Sequence, residues 1–187
     1  MNALAVPAQT IHYARSQFRD ALWADPALQV FAVVLGDSVP DLAERLQPLR
    51  EWDCLRPGAL EPAQRREAPH LLRLEADSPL RDWLLFDAYS QFGEWGLLCL
   101  SPLPLLQLRG AMRDWCDAMS STGERFVLDW MRPALLRALL PTLDAQQSAA
   151  FAAAASAFVL ADEQGWIWWR AGADGYAPSR VQVQVQG

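Results

Sequence analysis

Lysine is absent from the 187-residue sequence, in which all 16 basic residues are arginine. The chain therefore has no lysine amine for Schiff-base chemistry or for a phosphate-binding loop. Histidine occurs only at His12 and His70, and we predict that His70 is a core or edge residue rather than a ligand. The motifs GxSxG, HExxH, CxxC and GxGxxG are also missing. We therefore expect no catalytic residue, no metal site and no cofactor.

Cysteine is scarce, and no long apolar run is present. Cys54, Cys99 and Cys116 lie far apart and are predicted to be reduced core thiols rather than a disulfide framework or a metal site. No uncharged apolar run reaches the ~18 residues typical of a transmembrane helix. The first twenty residues lack a basic segment followed by an apolar one, which predicts a cytoplasmic protein without a signal peptide.

The charge balance is acidic, with a formal net charge of −6 and no basic run. Nucleic-acid binding depends on the neutralisation of phosphates, so we expect no nucleic-acid partner, and no membrane insertion. Apolar residues make up 52% of the chain and include nine tryptophans, which indicates a folded protein with much aromatic surface to bury. The length suits a single domain spanning residues 1–187.

The stretch Arg125–Leu143, RFVLDWMRPALLRALLPTL, is predicted to form a strand, a turn and a helix. Phe126–Leu128 is predicted to be a buried strand, because its bulky and β-branched residues suit a pleated surface. Pro133 suits the first turn of a helix, and Pro141 would end that helix. One apolar helix face is predicted for Leu135, Leu136, Leu139 and Leu140.

Two residues of opposite charge, Asp129 and Arg132, flank the turn between this strand and helix. With Pro133 they are predicted to form a structural corner. If the pair is exposed, it contributes only ~0–1 kcal/mol to stability.

The remaining elements follow from hydrophobic period and turn residues. Helices are predicted near residues 9–25, 38–49, 78–92, 101–119 and 144–155. Strands are predicted at 28–35, 51–55, 70–74, 97–100, 158–161, 166–170 and 180–186. This order predicts an α/β fold, with a small central sheet flanked by helices and with a helical part and a β-hairpin toward the C-terminus. The tail 171–187 would add a strand.

Three tryptophans lie in one predicted strand, Trp166 and Trp168 on one face and Trp169 on the other. Two interpretations remain open for them. They belong to the core, with Trp169 partly exposed, or they form a docking surface for another protein. Trp130 joins them as a candidate partner-binding residue, as do Asp129 and Arg132.

Four segments, in this order, resemble the bacterial type VI secretion effector-chaperone, or adaptor, family, which is catalogued as a domain of unknown function. The segments are APHLLRLEADSPLRDWLL (68–85), WGLLCLSP (95–102), RFVLDWMRPALLRALLPTLDAQQ (125–147) and FVLADEQGWIWW (158–169). The likeness spans about residues 28–170, with a loose match at 31–38. Where the family pattern has arginine and then aspartate before the proline, this chain has Asp129 and Arg132, so the two charges are exchanged.

The resemblance implies a non-catalytic cytoplasmic protein that binds a cognate secreted effector and helps load it onto the spike protein of the secretion tip. An immunity or inhibitor protein that blocks a toxin domain is the alternative. A small enzyme is a third interpretation, and it would require a pocket around Asp129, Arg132 and His70.

Overall fold

The computed structural model describes residues 10–120 and 122–184, in which an eight-stranded sheet separates two helical layers. The strands of these ranges are Thr10–Ala14 (β1), Gln29–Leu35 (β2), Trp52–Cys54 (β3), Pro69–Arg73 (β4), Gly96–Ser101 (β5), Asp117–Met119 (β6), Arg125–Val127 (β7), Ala157–Asp162 (β8), Gly165–Gly172 (β9) and Gly175–Gln184 (β10). The α-helices are Arg15–Leu22 (α1), Leu42–Leu46 (α2), Pro62–Glu67 (α3), Ala88–Phe92 (α4), Leu105–Asp114 (α5), Pro133–Leu139 (α6) and Ala145–Ala154 (α7). A π-helical turn, Trp83–Asp87, leads into α4, and a 3₁₀ turn, Leu140–Thr142, follows α6. The predicted α/β class is confirmed, although the sheet is larger than the small one expected.

The strand order of the main sheet is β1-β10-β9-β8-β5-β2-β4-β3. Every neighbouring pair is antiparallel except β1 and β10, which run parallel. The helix predicted over 9–25 is therefore wrong in its first part, because residues 10–14 pair with Arg180–Gln184 and only 15–22 are helical. Gln9 at its start, and 185–186 at the end of the predicted last strand, lie outside the described residues.

The apolar run of β2 is explained by burial on both faces of the sheet. Val30, Ala32 and Val34 belong to one core, which α1, α2 and the π-helical turn cover. Phe31 and Val33 belong to the second core, which α5, α6 and α7 cover. The protein is therefore a three-layer α/β/α sandwich, and its central strands have no polar face.

The candidate tryptophans lie inside these cores. Trp166 and Trp168 pack in the first core and Trp169 in the second, so the predicted division between two faces is found. The side chains of Trp130, Trp166, Trp168 and Trp169 are all at most 5% exposed. The expectation that they offer a surface to a partner is not met, and the partial exposure predicted for Trp169 is wrong, because helices cover β9 on both sides.

The predicted buried strand at 126–128 is wrong as well. β7 pairs only with β6, in a two-stranded sheet of its own, and all three of its residues are exposed. The helix predicted to reach residue 119 ends at Asp114, and 117–119 form β6 instead.

Within the described residues, no helix is both long and apolar enough to cross a bilayer.

Trp130 is predicted to be a major contributor to stability. The Trp130→Ala substitution should lower the free energy of unfolding by about 3–5 kcal/mol, because it leaves a cavity beside Trp115, Phe151 and Phe158. Urea unfolding followed by circular dichroism measures this loss. Val127→Ala is the control, since Val127 is 82% exposed and its truncation should cost less than about 0.5 kcal/mol. Equal losses for the two variants would contradict the packing described above.

Candidate functional site

The turn between β7 and α6 is held in place by Trp130. Its side chain is fully buried, and its indole N–H donates to the carbonyl oxygen of Met112, at 3.2 Å. The ring packs edge-on against Trp115, with centroids 5.2 Å apart. Because Met112 and Trp115 end α5, this contact joins the end of α5 to the turn and directs the neighbouring Asp129 outward.

Arg132 links two carboxylates at this turn. Its Nε donates to Asp129, at 2.6 Å, and its Nη2 donates to Asp37, which follows β2. The hydrogen bond that Arg132 donates to Asp37, and then the one that it donates to Asp129, raises the pKa of Arg132 above the ordinary arginine value. The predicted pair of Asp129 and Arg132 is thus found beside Pro133, and Asp37 is a third member that the sequence did not indicate.

Gly36 explains how Asp37 reaches Arg132. The chain passes so close to the end of α3 that a Cβ at position 36 would lie 2.0 Å from the carbonyl oxygen of Arg66 and 2.7 Å from that of Ala68. Only glycine fits such an approach. The Gly36 N–H also donates a hydrogen bond to the carbonyl oxygen of Ala68, at 3.2 Å.

A cleft of about 190 Å³ lies beside the Arg132 cluster, and we call it the corner cleft. It is lined by Leu35, Asp37, Leu55, Arg56, Pro57, Glu67, Pro69, Cys116, Val127, Leu128, Asp129, Met131 and Arg132. Most of these residues are apolar, and the charged ones include both carboxylates that Arg132 binds. The cleft therefore has a mainly apolar lining that also carries the Arg132 ion pairs and the charges of Arg56 and Glu67.

Arg113 fixes one wall of the corner cleft. From α5, its guanidinium donates to the carbonyl oxygens of Leu55 at 3.0 Å, Cys54 at 2.8 Å and Arg56 at 3.2 Å. These bonds hold the segment after β3 against α5. Sequence reasoning missed this role, because a contact between residues more than fifty positions apart leaves no local pattern.

The β6–β7 hairpin rises from the edge of the corner cleft. Its base is anchored by Cys116 and Leu128, which pack against the second core. Beyond the base, Met119 is 66%, Phe126 47% and Val127 82% exposed. The described residues include five exposed large apolar side chains, and three of these lie on this hairpin. Clustered exposure of this kind marks binding surfaces more often than scattered single residues do.

His70 does not join this site. It is buried in β4, with Nδ1 2.9 Å from the carbonyl oxygen of Ala68, and its ring lies 5.7 Å from that of Trp52. The corner cleft contains Asp129 and Arg132, but His70 is not among its lining residues. The arrangement that an enzyme interpretation would require is therefore not formed by these three residues.

The cysteines are free thiols, as predicted. Cys54 and Cys99 are buried, and burial raises the pKa of the Cys99 thiol far above its ordinary value. Cys116 is half-buried at the corner cleft, and its pKa is also raised, mainly by burial. Over 10–120 and 122–184, no group of three or more His, Cys, Asp or Glu residues is placed to hold a metal ion.

A family model described as a domain of unknown function, DUF4123, matches residues 30–150, which is more than half of the chain. This range contains Asp37, the β6–β7 hairpin and Arg132, whereas Trp166–Trp169 lie outside it. No curated protein and no solved structure matches the chain.

Arg132 is predicted to stabilise the corner more than either carboxylate does. Arg132→Gln should lower the free energy of unfolding by about 1 kcal/mol, because it breaks two half-exposed ion pairs at once, and Asp129→Asn or Asp37→Asn should each cost less. Exchanging the charges, Asp129→Arg with Arg132→Asp, should not restore stability, because the new carboxylate at 132 would face Asp37. Urea unfolding of the four variants tests this, and full recovery in the exchanged variant would show that Asp37 is not a partner.

His70 is predicted to make the fold sensitive to acid. Burial, the largest cause, and the nearby Arg65 lower the pKa of His70, while its bond to Ala68 and the charge of Asp53 act in the opposite direction. The unfolded histidine binds a proton below about pH 6.5, whereas the folded one resists it. Stability from this residue is therefore complete above about pH 6.5 and is lost as the pH falls toward the folded pKa.

Unfolding free energies at pH 7.5 and pH 5.5 test this prediction. His70→Gln should lose less stability between the two pH values than the unsubstituted protein, even though it starts from a lower level. His12→Gln is the matched control, because it removes the other histidine of the chain, which is exposed in β1. An unchanged pH dependence in His70→Gln would refute the assignment.

Proposed function

The chain belongs to the DUF4123 family, and we propose that it acts as a non-catalytic adaptor that binds a cognate type VI secretion effector and helps load it onto the spike protein. One observation carries the proposal. The β6–β7 hairpin holds three exposed apolar side chains beside an apolar cleft, inside the range that the family model matches. The resemblance of four sequence segments to the effector-chaperone family supports the identity of the partner.

The position of the exposed side chains favours a protein partner. A stable protein interface buries roughly 800 Å² on each side, which is more than three side chains supply. Val127 and Leu128 also line the corner cleft, so a partner seated on the hairpin reaches the cleft as well. A partner that covers both the hairpin and the cleft would bury an apolar centre within a polar rim, as protein interfaces do.

Some of the charges of this surface are paired within the chain. Arg125 and Asp117 lie 3.1 Å apart across the hairpin, and Arg132 is bound to Asp37 and Asp129. Arg56 and Glu67 also line the corner cleft, and both are exposed and outside these pairs. We therefore expect an association driven mainly by apolar burial, with a salt dependence that arises from these two residues.

The test is co-expression of the full chain with a candidate effector toxin and a spike protein of a type VI secretion system from the same genome. The chain should co-purify with the toxin, and Val127→Asp should reduce the yield of complex at least about tenfold, because a carboxylate would enter an apolar interface. Leu106→Asp is the matched control. Leu106 is 63% exposed but lies at the opposite end of α5, so its substitution should leave the complex intact.

The same experiment separates an adaptor from an inhibitor. An adaptor should bind the delivery region of the effector and bring the spike protein into the complex. An inhibitor should bind the isolated toxic domain and abolish its activity without the spike protein. If Val127→Asp and Leu106→Asp give equal yields of complex, the hairpin is not the binding surface.

A further inference from the structure

The backbone of the β6–β7 hairpin has free hydrogen-bonding groups along its outer edges. Leu128 N–H donates to Cys116 at 2.8 Å, and Ser120 N–H donates to Glu124 at 2.8 Å. Ala118 pairs with Phe126 midway between these two contacts. The residue pairs that exchange backbone hydrogen bonds in the hairpin are therefore 116 with 128, 118 with 126, and 120 with 124. Antiparallel pairs alternate, so the N–H and C=O groups of Arg125 and Val127 point away from β6. Over the described ranges, no hydrogen bond is formed by these outward groups.

The edge strands of the main sheet differ from β7 in this respect. At β3, Arg113 occupies the carbonyl oxygens of Cys54 and the two residues that follow. At β1, the exposed side chains are the polar Thr10 and His12. β7 alone among these three combines an open backbone edge with exposed apolar side chains, the combination that invites pairing with another chain.

We propose that β7 binds an extended segment of the effector as a third strand of this small sheet, an inference that rests on the proposed function. The main-chain groups of Arg125 and Val127 would bond to the incoming strand, and the apolar side chains on one of its faces would cover Val127. An open strand edge specifies its occupant chemically, because only an extended backbone offers donors and acceptors at the matching spacing.

β7 is the binding edge rather than β6 because of its position. Val127, Leu128 and Asp129 line the corner cleft in sequence, whereas β6 reaches it only through Cys116 just before its start. A strand added along β7 therefore continues over the apolar floor of the cleft. Arg132 is bound to Asp37 and Asp129, whereas Arg56 and Glu67 in the lining of the cleft are exposed and outside these pairs. The inserted segment is therefore apolar at the alternate positions that face Val127, and polar where it passes Arg56 and Glu67.

Proline substitutions test the two edges separately. Val127→Pro removes an outward N–H and leaves the internal bonds of the hairpin intact, since proline is tolerated on strand edges. Met119→Pro makes the same change on the β6 edge and is the matched control. Val127→Thr keeps the N–H and the branched shape. In complexes of the full chain with the same candidate effector toxin, Val127→Pro should weaken binding at least about tenfold, and the other two variants less than about threefold.

Amide hydrogen exchange gives an independent readout. On binding the toxin, exchange at Arg125 and Val127 should slow, and exchange at Asp117 and Met119 should not. Circular dichroism of each free variant confirms that the fold is retained. If Val127→Pro folds and binds normally, the added strand is refuted while the adaptor function stands.

The remaining outcomes also decide between interpretations. Equal weakening by Val127→Thr and Val127→Pro would assign the contact to the side chain and overturn backbone pairing. A dimer of the chain alone in sedimentation velocity that Val127→Pro dissolves would identify a second copy as the occupant. If the toxin binds neither the unsubstituted chain nor any variant, the proposed function is refuted, and the added strand is refuted with it.

Discussion

The burial of Trp130 is the contact on which the candidate site depends. It lies between two residues with different roles, Asp129 at the surface and Met131 in the second core. Its indole is tied to the end of α5 through Met112, and the same end of α5 leads directly into β6. One buried side chain therefore fixes both the turn that carries the Arg132 cluster and the base of the hairpin.

This attachment explains how a short hairpin persists with its apolar side chains in water. Two-stranded hairpins are only marginally stable by themselves. Here Cys116 and Leu128 pack against the core and Leu128 bonds to Cys116, so the base is held while the outer residues contribute little to folding. Burial of Phe126 or Val127 within the chain would have stabilised the fold further. Their exposure thus represents stability that is recovered only when another molecule covers them.

The parts of the fold predicted from sequence are those with a local signal. The apolar run of β2, the hairpin of β8 and β9, and the Asp144 cap of α7, whose carboxylate accepts from the Gln147 N–H at 2.8 Å, all arise from neighbouring residues. β1 was missed because its strand character comes from pairing with Arg180–Gln184 at the other end of the chain. The segment does alternate, with Ile11 and Tyr13 packed on the core and Thr10 and His12 exposed, but four residues are too few to distinguish such a strand from the start of the helix that follows.

The same limit applies to the candidate site. Composition indicates that many tryptophans and β-branched residues are buried, but it does not indicate which of them are. β9 lies inside the sheet and buries Trp166, Trp168 and Trp169, whereas β7 lies outside it and leaves Phe126 and Val127 exposed. Of the two interpretations left open for the tryptophans of β9, the structure therefore agrees with the core and not with the docking surface. The corner was foreseen as the pair of Asp129 and Arg132, yet Asp37 and Arg113 act across large sequence separations and are visible only in three dimensions.

The pairing of charges around the hairpin bears on how a partner would be selected. A surface with free charges attracts many oppositely charged proteins over a distance, and salt weakens that attraction. The arginines at positions 125 and 132 are instead bound to carboxylates of the same chain. Arg56 and Glu67 also line the corner cleft and lie outside these pairs. A partner would therefore be selected by the shape of the cleft, by the direction of the open β7 edge and by how it meets these two charges.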